Sequence, residues 1–102
     1  MKKKLILISG LLISLSIIAS ENCPGNVTVV LDYPSKCDGN FAFQLDSTGS
    51  TWLCALSEKS NSMVLTAYAA GKKINPRLEL TTGGDCKSIA HYQKPLYMSI
   101  HD

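Results

Sequence analysis

Four cysteines, Cys23, Cys37, Cys54 and Cys86, constrain this 102-residue chain more than any other feature. They shape a fold only if the chain is exported, because disulfides persist in oxidising compartments and not in the cytosol. The first twenty residues, MKKKLILISGLLISLSIIAS, meet that condition. Lys2, Lys3 and Lys4 form a positive n-region, and Leu5 to Ala19 is an almost unbroken apolar run of 15 residues. A bilayer-spanning helix needs about 20 such residues, whereas this run has the length of a signal-peptide core. Cleavage is expected after Ser20 or one residue earlier. Ser20 is suitably small, but Ile18 is larger than the usual small residue at its position, which leaves the bond open. Asn22 precedes Cys23 where a lipidation signal requires a small residue, so no lipid anchor is expected. Residues 1–20 therefore read as a leader and 21–102 as one domain, secreted or periplasmic.

Loss of the leader leaves 82 residues, with seven Lys and Arg against eight Asp and Glu. The net charge passes from +2 for the whole chain to −1 for the mature one. No basic field remains to attract nucleic acid or anionic lipid, and no apolar segment remains for stable membrane insertion. A domain of this size buries only about 60% of its unfolded surface, so two disulfides are the expected staples. No cysteine pair has CxxC spacing, and His91 and His101 are the only histidines. Neither a zinc site nor a thioredoxin-like site is expected, nor any other metal or cofactor. Spacing alone leaves three connectivities open.

Turn residues at Pro24-Gly25, Tyr33-Pro34-Ser35, Asp38-Gly39-Asn40, Ser47-Thr48-Gly49, Gly83-Gly84-Asp85 and Lys94-Pro95 separate short β-branched and aromatic runs. Asn26–Leu31 predicts a strand with Val27, Val29 and Leu31 on one face. Phe41–Asp46 predicts another, with Phe41, Phe43 and Leu45 inward and Ala42, Gln44 and Asp46 outward. In Thr51–Leu56, Trp52, Cys54 and Leu56 share one face and Leu53 and Ala55 the other, as in a strand covered on both sides. The period then changes. Ser57 or Ser60 caps a predicted helix, with Glu58 at its positive end. Met63, Val64, Ala67, Tyr68 and Gly71 follow three-and-four spacing, which assigns them to packing against the sheet. Gly71 supplies the left-handed stop, with Lys72 and Lys73 beyond it.

Period two returns in Ile74–Thr81, where Ile74, Pro76, Leu78 and Leu80 face one way and Asn75, Arg77, Glu79 and Thr81 the other. Pro76 cannot donate to a ladder and predicts an edge or a bulge. Two further strands are expected near Lys87–Tyr92 and Leu96–Ile100. Three strands, a helix, then two or three strands make a mainly β, α+β domain. The order fits a small, partly open barrel of the OB type, with its helix between the third and fourth strands. An antiparallel sheet with one packed helix is the plainer arrangement.

No catalytic constellation emerges. His91 and the chain's many serines come with no G-x-S-x-G elbow, and Asp38 and Asp85 read as turn formers beside Cys37 and Cys86. The chain is read as a binding protein, not an enzyme. Trp52, beside a cysteine on a strand, is assigned to core packing. The sequon Asn26-Val27-Thr28 matters only in a glycosylating host, and the Lys-rich, Ile/Leu-rich leader reads as bacterial. Asp32, Tyr33, Ser35 and Lys36 on one loop, and His91, Tyr92 and Tyr97 near the C-terminus, form a polar surface carrying aromatic rings. A tyrosine offers a flat apolar face with a hydrogen-bonding tip, which suits sugar and peptide contact. Tyr33, Ser35, Lys36 and Tyr92 are the expected ligand-binding residues.

The segment WLCALSEKSNSMVLTAYAAGKKI, followed after a strand by GGDC, resembles a group of small exported bacterial proteins. The shared pattern is a strand-borne cysteine, a helix ending in Ala-Tyr-x-x-Gly-Lys-Lys, a strand, and a Gly-rich turn with a cysteine. That group is similar to the B subunits of subtilase cytotoxin and pertussis-like toxins. The resemblance covers roughly residues 37–90. It implies an OB fold, recognition of glycans on a host or cell surface, assembly into a pentamer, and a toxin A subunit as partner. No sugar-contacting position of those subunits maps onto a motif in this chain. A stand-alone periplasmic structural or inhibitor-like domain that binds protein is the competing reading. Among the three connectivities, the expected one is Cys54–Cys86, tying the strand before the helix to the Gly-rich turn, with Cys23–Cys37 as the second bond.

Overall fold

The computed structural model describes residues 19–80 and 84–102. Residues 1–18 of the expected leader, Thr81 of the expected Ile74–Thr81 strand and Gly83 of the Gly-rich turn lie outside these. The chain order is β1 (Ala19–Asn22), β2 (Gly25–Asp32), β3 (Phe41–Leu45), β4 (Leu53–Cys54), α1 (Glu58–Ala70), β5 (Lys73–Leu80) and β6 (Tyr97–His101). Every strand pairing is antiparallel, in the order β1-β5-β2-β3-β4, with β6 also on β5. This is a mostly antiparallel sheet with one helix, an α+β arrangement, and its ladder does not close on itself.

β1 and β2 lie in series along β5. Ala19–Asn22 pairs with Leu80–Arg77, and Gly25 and Asn26 pair with Ile74 and Lys73. β2 then leaves β5 and pairs with β3, which bends the sheet around its core. The bend needs close approach at Gly25. A side chain there would meet Asp46 Oδ1 at 2.4 Å and Ser47 Oγ at 2.6 Å. In its absence Asp46 accepts from Asn26 N–H at 3.0 Å, and Ser47 donates to the Cys23 carbonyl at 3.0 Å. The expected cleavage after Ser20 falls within β1 and would leave Glu21 and Asn22 opposite Leu78 and Arg77.

Several features differ from the sequence reading. β1 is an additional strand, so the helix falls between the fourth and fifth strands rather than the third and fourth. The expected Thr51–Leu56 strand shrinks to Leu53–Cys54. In β2 the register shifts between Val27 and Val29. The extra residue, Thr28, reverses the alternation, so Val27 and Val30 reach the main core while Leu31 turns to the opposite side. Pro76 lies on neither an edge strand nor a bulge; β5 is flanked on both sides. Its carbonyl accepts from Cys23 N–H at 3.0 Å. Amide and carbonyl of one strand residue face the same edge, so the missing N–H falls at the break between β1 and β2. Residues 87–92 form turns, not a strand. Asp85 Oδ1 accepts from Lys87 N–H and Ser88 Oγ–H at 3.0 and 3.1 Å, and an aspartate-built turn of this kind competes with extension.

The cysteine pairing is also corrected. The bonds are Cys23–Cys86 and Cys37–Cys54, not Cys54–Cys86 and Cys23–Cys37. Cys54 faces away from Leu53 and Ala55 and meets the loop after β2. Cys23 sits where β1 joins β2, and the chain beyond β5 returns to it. Their sequence separations of 63 and 17 residues correspond to about 4 and about 3 kcal/mol of lost unfolded-state entropy in the loop-closure account.

Phe43, Leu45, Leu53, Val64, Ile74 and Leu78 are fully buried and centre the main core. Burying each such side chain contributes about 1.5–3 kcal/mol. The helix packs on β2, β5 and β6 through Ser60, Val64 and Ala67, with Met63 at the margin. Tyr68, expected in this stripe, is 53% exposed. Ser60 takes the buried place one turn before Val64, where its hydroxyl accepts from the Leu56 and Ser57 amides at 2.6 and 2.8 Å. Ser57 caps the helix and bonds Ser60 N–H in return. At the other end Gly71 is left-handed, with φ 69°, and Lys72 N–H closes back on the Ala67 carbonyl at 3.0 Å. Beyond the cap, the Lys72 ammonium hydrogen-bonds Asp102 and holds that carboxyl below the usual carboxylate range.

Because Gly71 alone supplies the left-handed stop, Gly71→Val should destabilise the domain by roughly 1–2 kcal/mol. In a domain this small, that lowers the thermal midpoint by about 4–8 °C per kcal/mol. A melt equal to that of the unmodified protein would place the helix stop elsewhere.

Candidate functional site

Two apolar clusters share β3 and β4. The register pairs Phe43 with Leu53 and Ala42 with Cys54. Phe43 and Leu53 point into the main core. Ala42, read as outward from its alternation, is fully buried on the opposite face beside Cys37 and Cys54. The cover is the loop from Tyr33 to Asn40, which the Cys37–Cys54 bond draws over the outer side of the sheet. Only a small residue at 42 leaves room for it.

Local hydrogen bonds fold that loop tightly. Lys36 N–H donates to Tyr33 O at 3.1 Å, Gly39 N–H to Pro34 O at 2.9 Å, and Asn40 N–H to Cys37 O at 3.0 Å. Asp38 and Gly39 are both left-handed, at φ 55° and 89°, which suits an Asp-Gly pair. Asn61 of the helix anchors the loop's end, accepting from Phe41 N–H at 3.0 Å and donating to Asn40 Oδ1 at 3.2 Å. Asp38 also pairs with Lys94 at 3.2 Å, an exposed contact contributing at most about 1 kcal/mol.

The second wall comes from residues 91–93. Tyr92 N–H donates to Trp52 O at 2.7 Å, and Cys54 N–H donates to Gln93 O at 2.9 Å. A one-residue parallel bridge, Leu53 with Gln93, results. Tyr92 is held at φ 60°, a left-handed conformation costing a non-glycine residue about 1–2 kcal/mol. Its ring packs with Trp52 and Leu31 against the Cys37–Ala42–Cys54 cluster. The Tyr33 ring stands edge-on to it, with centroids 5.9 Å apart and planes at 73°. Lys36 Nζ lies 5.7 Å from the Tyr92 centroid, within cation–π range. His91 sits 6.1 Å from Tyr92, and its Nδ1 accepts from Trp52 N–H at 3.3 Å.

Tyr33, Lys36 and Tyr92 are thus brought together from segments more than fifty residues apart. Ser35 is exposed on the same turn, between Pro34 and Lys36, and Asp32 is exposed at the end of β2. Tyr97 stands instead on β6, opposite Arg77. Two contributors were not anticipated. Trp52, read as core, is half-buried against the second cluster instead of the main one. Gln93 carried no signal beyond its place before the Lys94-Pro95 turn. The arrangement offers flat ring faces, one cation and exposed hydroxyls, the equipment of shallow polar recognition. Among the described residues, no three His, Cys, Asp or Glu side chains converge as metal ligands.

Comparison with protein-family models, with curated proteins and with solved structures yields no match.

The covering role of the loop can be checked through Ala42. Ala42→Leu would force the Tyr33–Asn40 loop outward against its disulfide and should destabilise by about 1–3 kcal/mol, the usual cost of overpacking. Denaturant unfolding measures it; a variant as stable as the parent would mean that the loop does not pack there.

Proposed function

We propose that the mature chain is an exported glycan-binding domain of OB-like architecture, with Tyr33, Ser35, Lys36 and Tyr92 forming its ligand surface. The convergence of Tyr33, Lys36 and Tyr92 on a disulfide-backed floor carries this reading. Sugar rings present C–H faces that stack on phenol rings, while their hydroxyls need polar neighbours. Lys36 and Ser35 supply such neighbours beside two rings. The OB-like assignment is supported by the strand order. Taken as one bent strand, β1 and β2 leave five strands with the helix between the third and fourth, as in small barrels of that type. Two disulfides suit an extracytoplasmic location.

Such a surface is shallow, so single-site affinity should be weak, about millimolar or roughly −4 kcal/mol. Recognition of a cell surface then calls for several linked copies, since multivalency raises apparent affinity by about 10²–10⁴. A pentamer, with or without a toxin-like A subunit, would supply this. The protein-binding reading draws on the exposed Leu65 and Tyr68 of the helix. A multivalent glycan array combined with native mass spectrometry separates the two. Array signal that falls on Tyr92→Ala, together with an oligomer at micromolar concentration, is the expected result. A blank array and a monomer would overturn the glycan reading in favour of protein binding.

A further inference from the structure

We infer that Gln93 is the positioning residue of this surface, a clasp that holds Tyr92 in its ligand-ready orientation by joining the two unclosed parts of the sheet. The inference rests on the glycan-binding reading for its functional consequence, but its geometry stands apart. Gln93 bonds to two strands at once. Its main chain lies on β4, where its carbonyl accepts from Cys54 N–H at 2.9 Å. Its side-chain amide lies on β5, where Oε1 accepts from Glu79 N–H at 2.7 Å and Nε2 donates to Glu79 O at 3.2 Å. The amide therefore occupies both hydrogen-bonding groups of one β5 residue, as a neighbouring strand would. Leu96 N–H adds a bond to Arg77 O at 2.8 Å, so residues 92–96 bridge β4 and β5.

Tyr92 is the residue immediately before this clasp, and it is the left-handed one. A strained non-glycine residue persists only where its surroundings over-determine it. Tyr92 is fixed on one side by its amide on Trp52 O and on the other by Gln93. If the amide lets go of Glu79, the segment keeps its β4 bonds but loses its brace on β5. Tyr92 is then free to relax to negative φ, and its ring leaves Tyr33 and Lys36. Gln93 contacts no ligand in this account; it acts through Tyr92. Preorganisation of this kind raises affinity by removing the ordering cost from the binding step.

The test compares Gln93→Leu with Gln93→Glu, an isostere that keeps the acceptor for Glu79 N–H and loses the donor to Glu79 O. The ligand-free readout is the NMR shift of the Lys36 side-chain methylene protons, expected upfield in the parent because the Lys36 ammonium lies over the Tyr92 ring. Gln93→Leu should remain cooperatively folded with both disulfides and lose that upfield shift, with Gln93→Glu in between. Binding to the multivalent glycan array should drop by about tenfold or more for Gln93→Leu, as expected when a preorganised contact becomes mobile. If Gln93→Leu does not fold, the Gln93→Glu shift decides alone. An unchanged Lys36 shift in the folded variant would overturn the clasp, whatever the binding result. A parent protein that binds no glycan would instead overturn the proposed function and leave the shift to judge Gln93.

Discussion

The bond between Cys37 and Cys54 is the interaction on which the rest of the structure leans. It links a loop to the back of a two-residue strand that, at such length, could not hold an outer face of its own. With the loop drawn in, Ala42 is buried, Trp52 and Leu31 acquire something to pack against, and Tyr92 gains a floor. The main core needs β3 and β4 from one side only. The second cluster uses the other side, so a domain too small for two full layers obtains a second patch of buried surface. Hydrophobic burial alone is marginal at this size, and the disulfide offsets the entropy of ordering a polar loop that has little apolar surface to contribute.

The other disulfide solves a different problem. A sheet that bends around one helix must have a corner, and the corner here is the Cys23–Gly25 junction. Gly25 admits Asp46 and Ser47, Pro76 opposite Cys23 has no amide to lose, and Cys23 is tied to Cys86. Each residue at the corner removes a specific obstacle: a side chain, an unmatched donor, or an untethered segment at Cys86. The two halves meet again at Gln93, whose amide substitutes for a strand between β4 and β5. The corner lies between β1 and β2, the clasp joins β4 to β5, and the aromatic surface sits beside the clasp.

Much of the local structure was legible in the sequence. Ser57 and Gly71 bound the helix as their capping chemistry implies, and Ile74, Pro76, Leu78 and Leu80 are buried with the expected period. Tyr33, Lys36 and Tyr92 do share one place. What failed was whatever depends on distant partners. The inversion of β2 after Thr28 follows from its pairing with β3 and leaves no mark on the valine pattern. Tyr68 fits the helical spacing, yet the sheet lies under Ser60 instead, a polar residue buried because it caps its own helix. Alternation put Cys54 opposite Leu53 and Ala55, but nothing local says that the loop carrying Cys37 covers that face. Gln93 was invisible because a side chain acting as a strand has no sequence signature.

The most direct test of this account is the disulfide map of the native protein, obtained by digestion at low pH without reduction and mass analysis of the linked peptides. The account predicts one peptide pair joining Cys37 to Cys54 and another joining Cys23 to Cys86. A peptide joining Cys54 to Cys86, or Cys23 to Cys37, would contradict it. In that case the loop would not be fastened over Ala42, and Tyr33 and Lys36 would have no fixed relation to Tyr92.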